Sequence, residues 1–181
     1  IGLDTDKIKE ICAETANMTN QCVQAVNFNC PGQIVIAGAT EAVHKACDRL
    51  KEAGAKRAIL LPVSAPFHST LMQPAADRLK EVLDSVEIVD AKIPVVANVN
   101  AKPETKADEI RSQLVLQAAS PVLWEDSVRR MMNDGVDTFV EVGPGKVLCG
   151  FIKKVDRSYA PLNVEDMESL EKSLAYLKEV R

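Results

Sequence analysis

Apolar side chains at Ile8, Ile11, Cys12 and Ala16 recur at helical spacing and predict an amphipathic helix from about Thr5 to Asn17. Val23 to Asn27 and Gln33 to Ala37 read as strands. Asn29-Cys30-Pro31-Gly32 between them has turn chemistry, so the pair is expected to be antiparallel. Thr40 stands where a helix N-cap is wanted, Val43, Ala46, Cys47 and Leu50 line one face of the helix that follows, and Gly54 stops it. Ala58 to Val63 is apolar nearly throughout and predicts a third strand. The order α-β-β-α-β matches a ferredoxin-like split β-α-β unit without its first strand, of which Ile1-Gly2-Leu3 would be the end.

Past His68 the pattern changes. Met72, Ala75, Ala76, Leu79, Val82 and Leu83 mark a long helix, and Ile93 to Ala97 a buried strand. Thr105-Lys-Ala-Asp108 resembles a capping box ahead of a helix to about Ala118. Trp124, Val128, Met131 and Met132 mark a helix that ends at Gly135, and Thr138 to Val142 a strand. Val147, Leu148, Phe151 and Ile152 share a helical face, and Met167, Leu170, Leu174 and Leu177 another between Glu165 and Val180. Alternating strands and helices predict an α/β layer with a mostly parallel sheet. So small a sheet is ordinarily completed by further strands, so the chain is expected to be part of a longer unit. An incomplete α+β small subdomain is expected over residues 1–62, and the C-terminal part of a larger α/β subdomain over residues 63–181.

Composition narrows the classes. The 181 residues are 46% hydrophobic and 27% charged with a net charge of −4, which suits a folded globular protein and gives no broad footprint for nucleic acid. No apolar run is long enough to cross a bilayer and no signal peptide opens the chain, so no membrane partner is expected. Cys12, Cys22, Cys30, Cys47 and Cys149 form an odd set without a C-x-x-C pair, which points to a reducing setting, the cytoplasm or an organelle lumen of similar redox poise. The two histidines do not pair with cysteines at ligand spacing, so no metal site is expected.

The stretch Leu61-Pro-Val-Ser-Ala-Pro-Phe-His-Ser-Thr-Leu-Met72 carries the most chemistry. A predicted strand ends in a short loop bearing His68, and a helix follows. Pro66 restrains the loop by biasing Ala65 toward an extended conformation. Loops at the C-terminal ends of strands in open α/β sheets are where ligands bind, and a histidine there can take and return a proton near neutral pH. By spacing alone His68 also fits a surface histidine at a helix start. His44, among Glu41, Lys45 and Asp48, fits a solvated helix face.

The string P-V-S-A-P-F-H-S-T-L-M closely resembles the histidine loop of the malonyl-CoA:acyl-carrier-protein transacylases of fatty acid synthesis. The resemblance runs the length of the chain. Val26-Asn-Phe-Asn-Cys-Pro-Gly-Gln-Ile-Val-Ile-Ala-Gly38, Gly54-Ala-Lys-Arg57, Pro94-Val-Val-Ala-Asn98, Ser120-Pro-Val-Leu-Trp124 and Glu141-Val-Gly-Pro-Gly-Lys-Val-Leu148 follow in the family's order. It implies a ferredoxin-like small subdomain and an α/β-hydrolase-like acyltransferase core. It also implies a two-step transfer: a serine attacks the thioester of malonyl-CoA, and the phosphopantetheine thiol of acyl carrier protein then takes the malonyl group. His68 would be the proton shuttle, held by a backbone carbonyl at the place Gln117 occupies, although Gln113 is close by. Phe67 resembles the form associated with small malonyl-type acyl groups. Asn27 and Asn29 would border the cleft and touch thioester or pantetheine, unless they merely satisfy the end of a hairpin. No permanently bound cofactor is implied, only the CoA thioester as substrate.

The chain departs from the family where the nucleophile belongs. G-x-S-x-G occurs nowhere in it, and the family's G-Q-G-S oxyanion loop and malonate-binding arginine are also absent. Ser64 and Ser69 flank the histidine outside any such elbow, and Cys30, in a turn that could expose it, shows no activating neighbour. The serine is therefore expected on a preceding segment or a companion chain, and these residues alone are expected to be inactive. Gly143-Pro-Gly-Lys146 lacks phosphate-loop spacing and reads as a tight turn. Lys56, Arg57, Lys146, Lys153 and Lys154 are candidates to meet an acidic carrier protein. An acyltransferase domain of a polyketide synthase, or a non-catalytic module that binds acyl carrier protein or CoA, would share many of these features. The complete histidine loop argues against the latter.

Overall fold

The computed structural model describes residues 1–180. The Asp4 carboxylate caps α1 (Thr5–Thr19) by accepting from Asp6 and Lys7 N–H, and Asn20 ends it in the left-handed conformation. β1 (Val23–Cys30) and β2 (Gln33–Gly38) form the expected antiparallel hairpin, with Val23 opposite Gly38 and Cys30 opposite Gln33. The turn needs Gly32, at φ 73°. α2 (Thr40–Glu52) follows. Thr40 is not its cap: Ala39 N–H bonds to the Cys22 carbonyl at 2.8 Å, so the chain enters the helix one residue earlier than the threonine signal implies.

The core lies where these four elements meet. Ile8, Ile11, Cys12, Val23, Ala25, Ala42, Ala46 and Leu50 pack in one buried cluster. Each large aliphatic side chain buried there contributes about 1.5–3 kcal/mol. Ala42 and Ala46 are fully buried, and their small side chains let α2 approach α1.

The strand predicted over Ala58–Val63 does not form. Lys56 N–H donates to the Ile1 carbonyl at 2.9 Å and the Ile1 ammonium to the Arg57 carbonyl at 2.8 Å, and there the pairing stops. Ile59, Leu60, Leu61 and Val63 are exposed. An apolar run names a strand, but a ladder needs a second backbone, and none lies alongside among the described residues.

A short 3₁₀ turn (Thr70–Met72) leads into α3 (Gln73–Asp84). The buried strand expected over Ile93–Ala97 is reduced to β3 (Val95–Val96), paired antiparallel with β4 (Pro103–Glu104), and Ile93 and Val95 are exposed. Ahead of α4 (Ala107–Leu116) no capping box forms. Asp90 caps the helix instead, accepting from Ala107 N–H at 2.9 Å and from Lys106 Nζ at 2.8 Å. Lys106 and then the Ala107 N–H hold the Asp90 carboxyl below the usual carboxylate range. α5 spans Trp124–Asn133.

The chain divides into two compact units, Ile1–Ser127 and one that begins at Val128. The subdomain boundary expected at 62/63 falls inside the first. In the second, β5 (Val140–Val142) pairs in parallel with β6 (Leu162–Val164), a strand too short to have been predicted, and α6 (Val147–Val155) and α7 (Met167–Glu179) complete it. Asp166 and Ser169 form a reciprocal capping box on α7. Phe139 and Tyr159 meet edge to face at 5.5 Å. Instead of a mostly parallel sheet there are three two-stranded ladders among the described residues, of which only β5–β6 is parallel. The architecture is mixed α/β.

Candidate active site

The histidine loop is closed by its own polar atoms. Ser69, 1% exposed, donates from Oγ to the Pro66 carbonyl at 2.6 Å, and its N–H reaches the same oxygen at 3.3 Å. This tight turn places His68 at φ 61°, in the left-handed region that costs a non-glycine residue about 1–3 kcal/mol. The imidazole is half-buried, and its Nδ1 lies 3.0 Å from the backbone carbonyl oxygen of Gln117. A carbonyl oxygen can only accept, so Nδ1 carries the hydrogen and Nε2 of the neutral ring is left with its lone pair. Gln117 is the C-cap of α4, and a carbonyl at the end of a helix has no partner in the next turn. That orphan acceptor is what the imidazole meets.

β1 holds both sides of this pair. Val122 N–H donates to the Val26 carbonyl at 2.7 Å and Phe28 N–H to the Val122 carbonyl at 2.9 Å, which fixes the segment beyond Gln117. Near the other end of β1, Gln24 Oε1 accepts from Thr70 N–H at 2.9 Å and from Thr70 Oγ at 3.2 Å, just past His68. Gln24 and Thr70 were not legible as site residues: Gln24 is one more polar position on an alternating strand.

The remaining candidates are spread around this centre. Asn27 and Phe67 line a mainly apolar cleft of about 680 Å³ together with Ile36, Val43, Leu60 and Leu71. His68 and Asn29 are not on its wall, although Ser64 to Phe67, the residues just before the histidine, are. Phe67 is 52% exposed, and Asn29 is half-buried near the end of β1. His44 is exposed on α2. Ser64 is exposed, and Ser69 is buried with its hydroxyl engaged. Cys30, which the turn reading left open to solvent, is buried at the end of β1 opposite Gln33. Burial first, and Cys47 second, pushes the Cys12 thiol up to about 11. Burial and then Glu141 does the same at Cys149, also to about 11. Neither is an activated nucleophile.

In the second unit Gly143-Pro-Gly-Lys146 is the turn between β5 and α6. The N–H groups a phosphate would need are taken by carboxylates. Glu141 accepts from Leu148 and Cys149 N–H at 3.1 and 2.8 Å, and Glu165 from Gly145 N–H at 2.8 Å. Among the described residues, no group of His, Cys, Asp and Glu could hold a metal ion, and no helix is long and apolar enough to cross a membrane.

The geometry has close counterparts. A family model described as the acyl transferase domain matches residues 6–173. The chain is 47% identical over 179 residues to the malonyl CoA-acyl carrier protein transacylase of Bacillus subtilis (strain 168), covering 99% of this chain and 56% of that protein. With the enzyme of that name from Haemophilus influenzae it shares 47% over 169 residues, covering 93% and 54%. The acyl-carrier-protein S-malonyltransferase of Burkholderia pseudomallei 1710b matches in structure with a TM-score of 0.92 at 44% identity, over 97% of this chain and 56% of that one. A malonyl-transacylase solved in complex with its type II PKS acyl-carrier protein matches with a TM-score of 0.93 at 45% identity, over 97% and 56%. The chain thus spans about half the length of the curated relatives it matches. With the family model covering most of its residues, the chain belongs to the acyl transferase domain family.

Proposed function

We propose that this chain carries the proton-shuttling part of a malonyl-CoA:acyl-carrier-protein transacylase, with His68 as the shuttle and the Gln117 carbonyl as its orienting acceptor. The observation that carries the reading is the 3.0 Å contact between His68 Nδ1 and the Gln117 carbonyl oxygen, which directs Nε2 to be the basic nitrogen. In the first step Nε2 takes the proton of a serine hydroxyl as its oxygen bonds to the thioester carbon. The C–S bond then breaks, and the departing CoA sulfur receives that proton. In the second step the phosphopantetheine thiol of acyl carrier protein gives its proton to Nε2 and attacks the serine ester. The C–O bond breaks and the proton returns to the serine oxygen. The substrate is a CoA thioester and no permanently bound cofactor is required.

The serine is supplied by sequence beyond these residues. The absence of G-x-S-x-G here and the 54–56% coverage of the relatives support this. Residues 1–62 act as the ferredoxin-like small subdomain and residues 63–181 as part of the α/β-hydrolase-like core. Phe67 limits the acyl group to malonyl size, a preference worth about 1–3 kcal/mol for one methyl. Asn27 and Asn29 meet the thioester or pantetheine. The cysteines, none of which forms a disulfide among the described residues, suit a cytoplasmic setting.

Intact-mass measurement after incubation with malonyl-CoA tests the assignment. The expected result is a hydroxylamine-labile malonyl adduct on the polypeptide bearing the serine. An adduct on Ser64, Ser69 or a cysteine of these 181 residues would overturn the assignment of the nucleophile.

A further inference from the structure

We infer that Gln24 is a positioning residue for His68, an inference that rests on the shuttle role proposed above. His68 is held in a left-handed conformation, and such a conformation persists only where the surroundings over-determine it. On the N-terminal side the Ser69–Pro66 bonds serve. On the C-terminal side the side-chain oxygen of Gln24 takes both donors of Thr70, at 2.9 and 3.2 Å, and so caps the 3₁₀ turn, whose N-cap residue Ser69 makes no side-chain capping bond.

The strand that carries Gln24 also grips the other partner. Val26 and Phe28 bond through their backbones to Val122, beyond Gln117. Gln24 and Val26 are separated by about 7 Å along one strand. β1 pairs with β2 from Val23 to Cys30 with irregularities at Val26 and Asn29, and Val23, Ala25 and Val26 are buried, so the strand is anchored in the core on both sides of the first irregularity. It sets the distance between the histidine loop and the Gln117 carbonyl, and Gln24 is the side chain by which it reaches the loop. Two hydrogen bonds to one oxygen on a strand that faces partly to solvent would be unremarkable alone. Their place, immediately after the strained base and on the strand that also fixes the base's acceptor, gives them a catalytic consequence.

The test uses the complete transacylase with its serine and compares Gln24→Met, which keeps length and loses the acceptor, with Gln24→Glu, which keeps an acceptor. His68→Gln serves as the marker for the shuttle. Steady-state malonyl transfer is read together with ¹⁵N signals of the histidine rings, the His68 signals being assigned by their loss in His68→Gln. Gln24→Met is expected to lower kcat roughly tenfold with KM for malonyl-CoA within about twofold, and to blur the Nδ1–H signature of His68. Gln24→Glu is expected to restore kcat to within about threefold of the parent and to restore the signature. An unchanged kcat and ring signature in Gln24→Met overturns the inference. So does an equal loss in both variants that follows their thermal midpoints, since that is support of the fold alone. If His68→Gln itself turns over at the parent rate, the shuttle reading falls, an outcome distinct from either of these.

Discussion

Two side chains show how local chemistry sets what each loop can do. Ser69 is spent on its own turn and is therefore unavailable as a nucleophile. Glu141 is spent on the first turn of α6. Burial pulls its carboxyl upward, but the N–H groups of Cys149, Leu148 and Val147 and the Cys149 thiol outweigh this and hold it below the ordinary value of 4.5. A carboxyl depressed in the folded state stabilises that state above the unfolded value, and the contribution is lost as pH falls through the folded value. Glu141→Gln is therefore expected to melt below the parent at about pH 6, with the gap closing toward about pH 3. Thermal midpoints across that range check it, and a gap that widens on acidification contradicts the capping role. The same carboxylate explains why the glycine turn is no phosphate site, which spacing alone had already opposed.

At the scale of elements, close approach of backbones decides more than side-chain pattern. A Cβ placed on Gly38 would lie 2.0 Å from the Cys22 carbonyl oxygen and 2.6 Å from Val23 Cα, both backbone atoms that cannot yield cheaply. Gly38→Ala is expected to cost about 3 kcal/mol in urea unfolding, because the end of the hairpin must shift. Gly150, exposed in α6 with nothing near its Cβ position, makes the contrast: Gly150→Ala is expected to gain about 0.5–1 kcal/mol. A neutral Gly38→Ala would show that the hairpin end is looser than described. α1, β1, β2 and α2 were legible in the sequence because their apolar faces pack on one another. The strands expected at Ala58–Val63 and Ile93–Ala97 were not, because a ladder depends on a partner the pattern does not name. The cap of α4 was illegible for a similar reason: Asp90 is far upstream of the helix it closes.

On the scale of the molecule, the histidine motif pointed to His68, and family resemblance pointed to Gln117. The structure brings these two together at 3.0 Å. Gln24 and Thr70 had no signal, since one amide on a strand and one threonine at a helix start acquire a role only when β1 carries them to the same turn. The exposed apolar segment Ile59–Val63 lies just before that turn in the chain. The central claim is that His68 moves the proton in acyl transfer. The rate of first-turnover acylation by malonyl-CoA in the complete enzyme, compared between parent and His68→Gln, tests it most directly. A fall of about 10²–10⁴-fold with malonyl-CoA binding preserved is the predicted result. A variant that acylates within about threefold of the parent rate would contradict it, since a general base is worth far more than that.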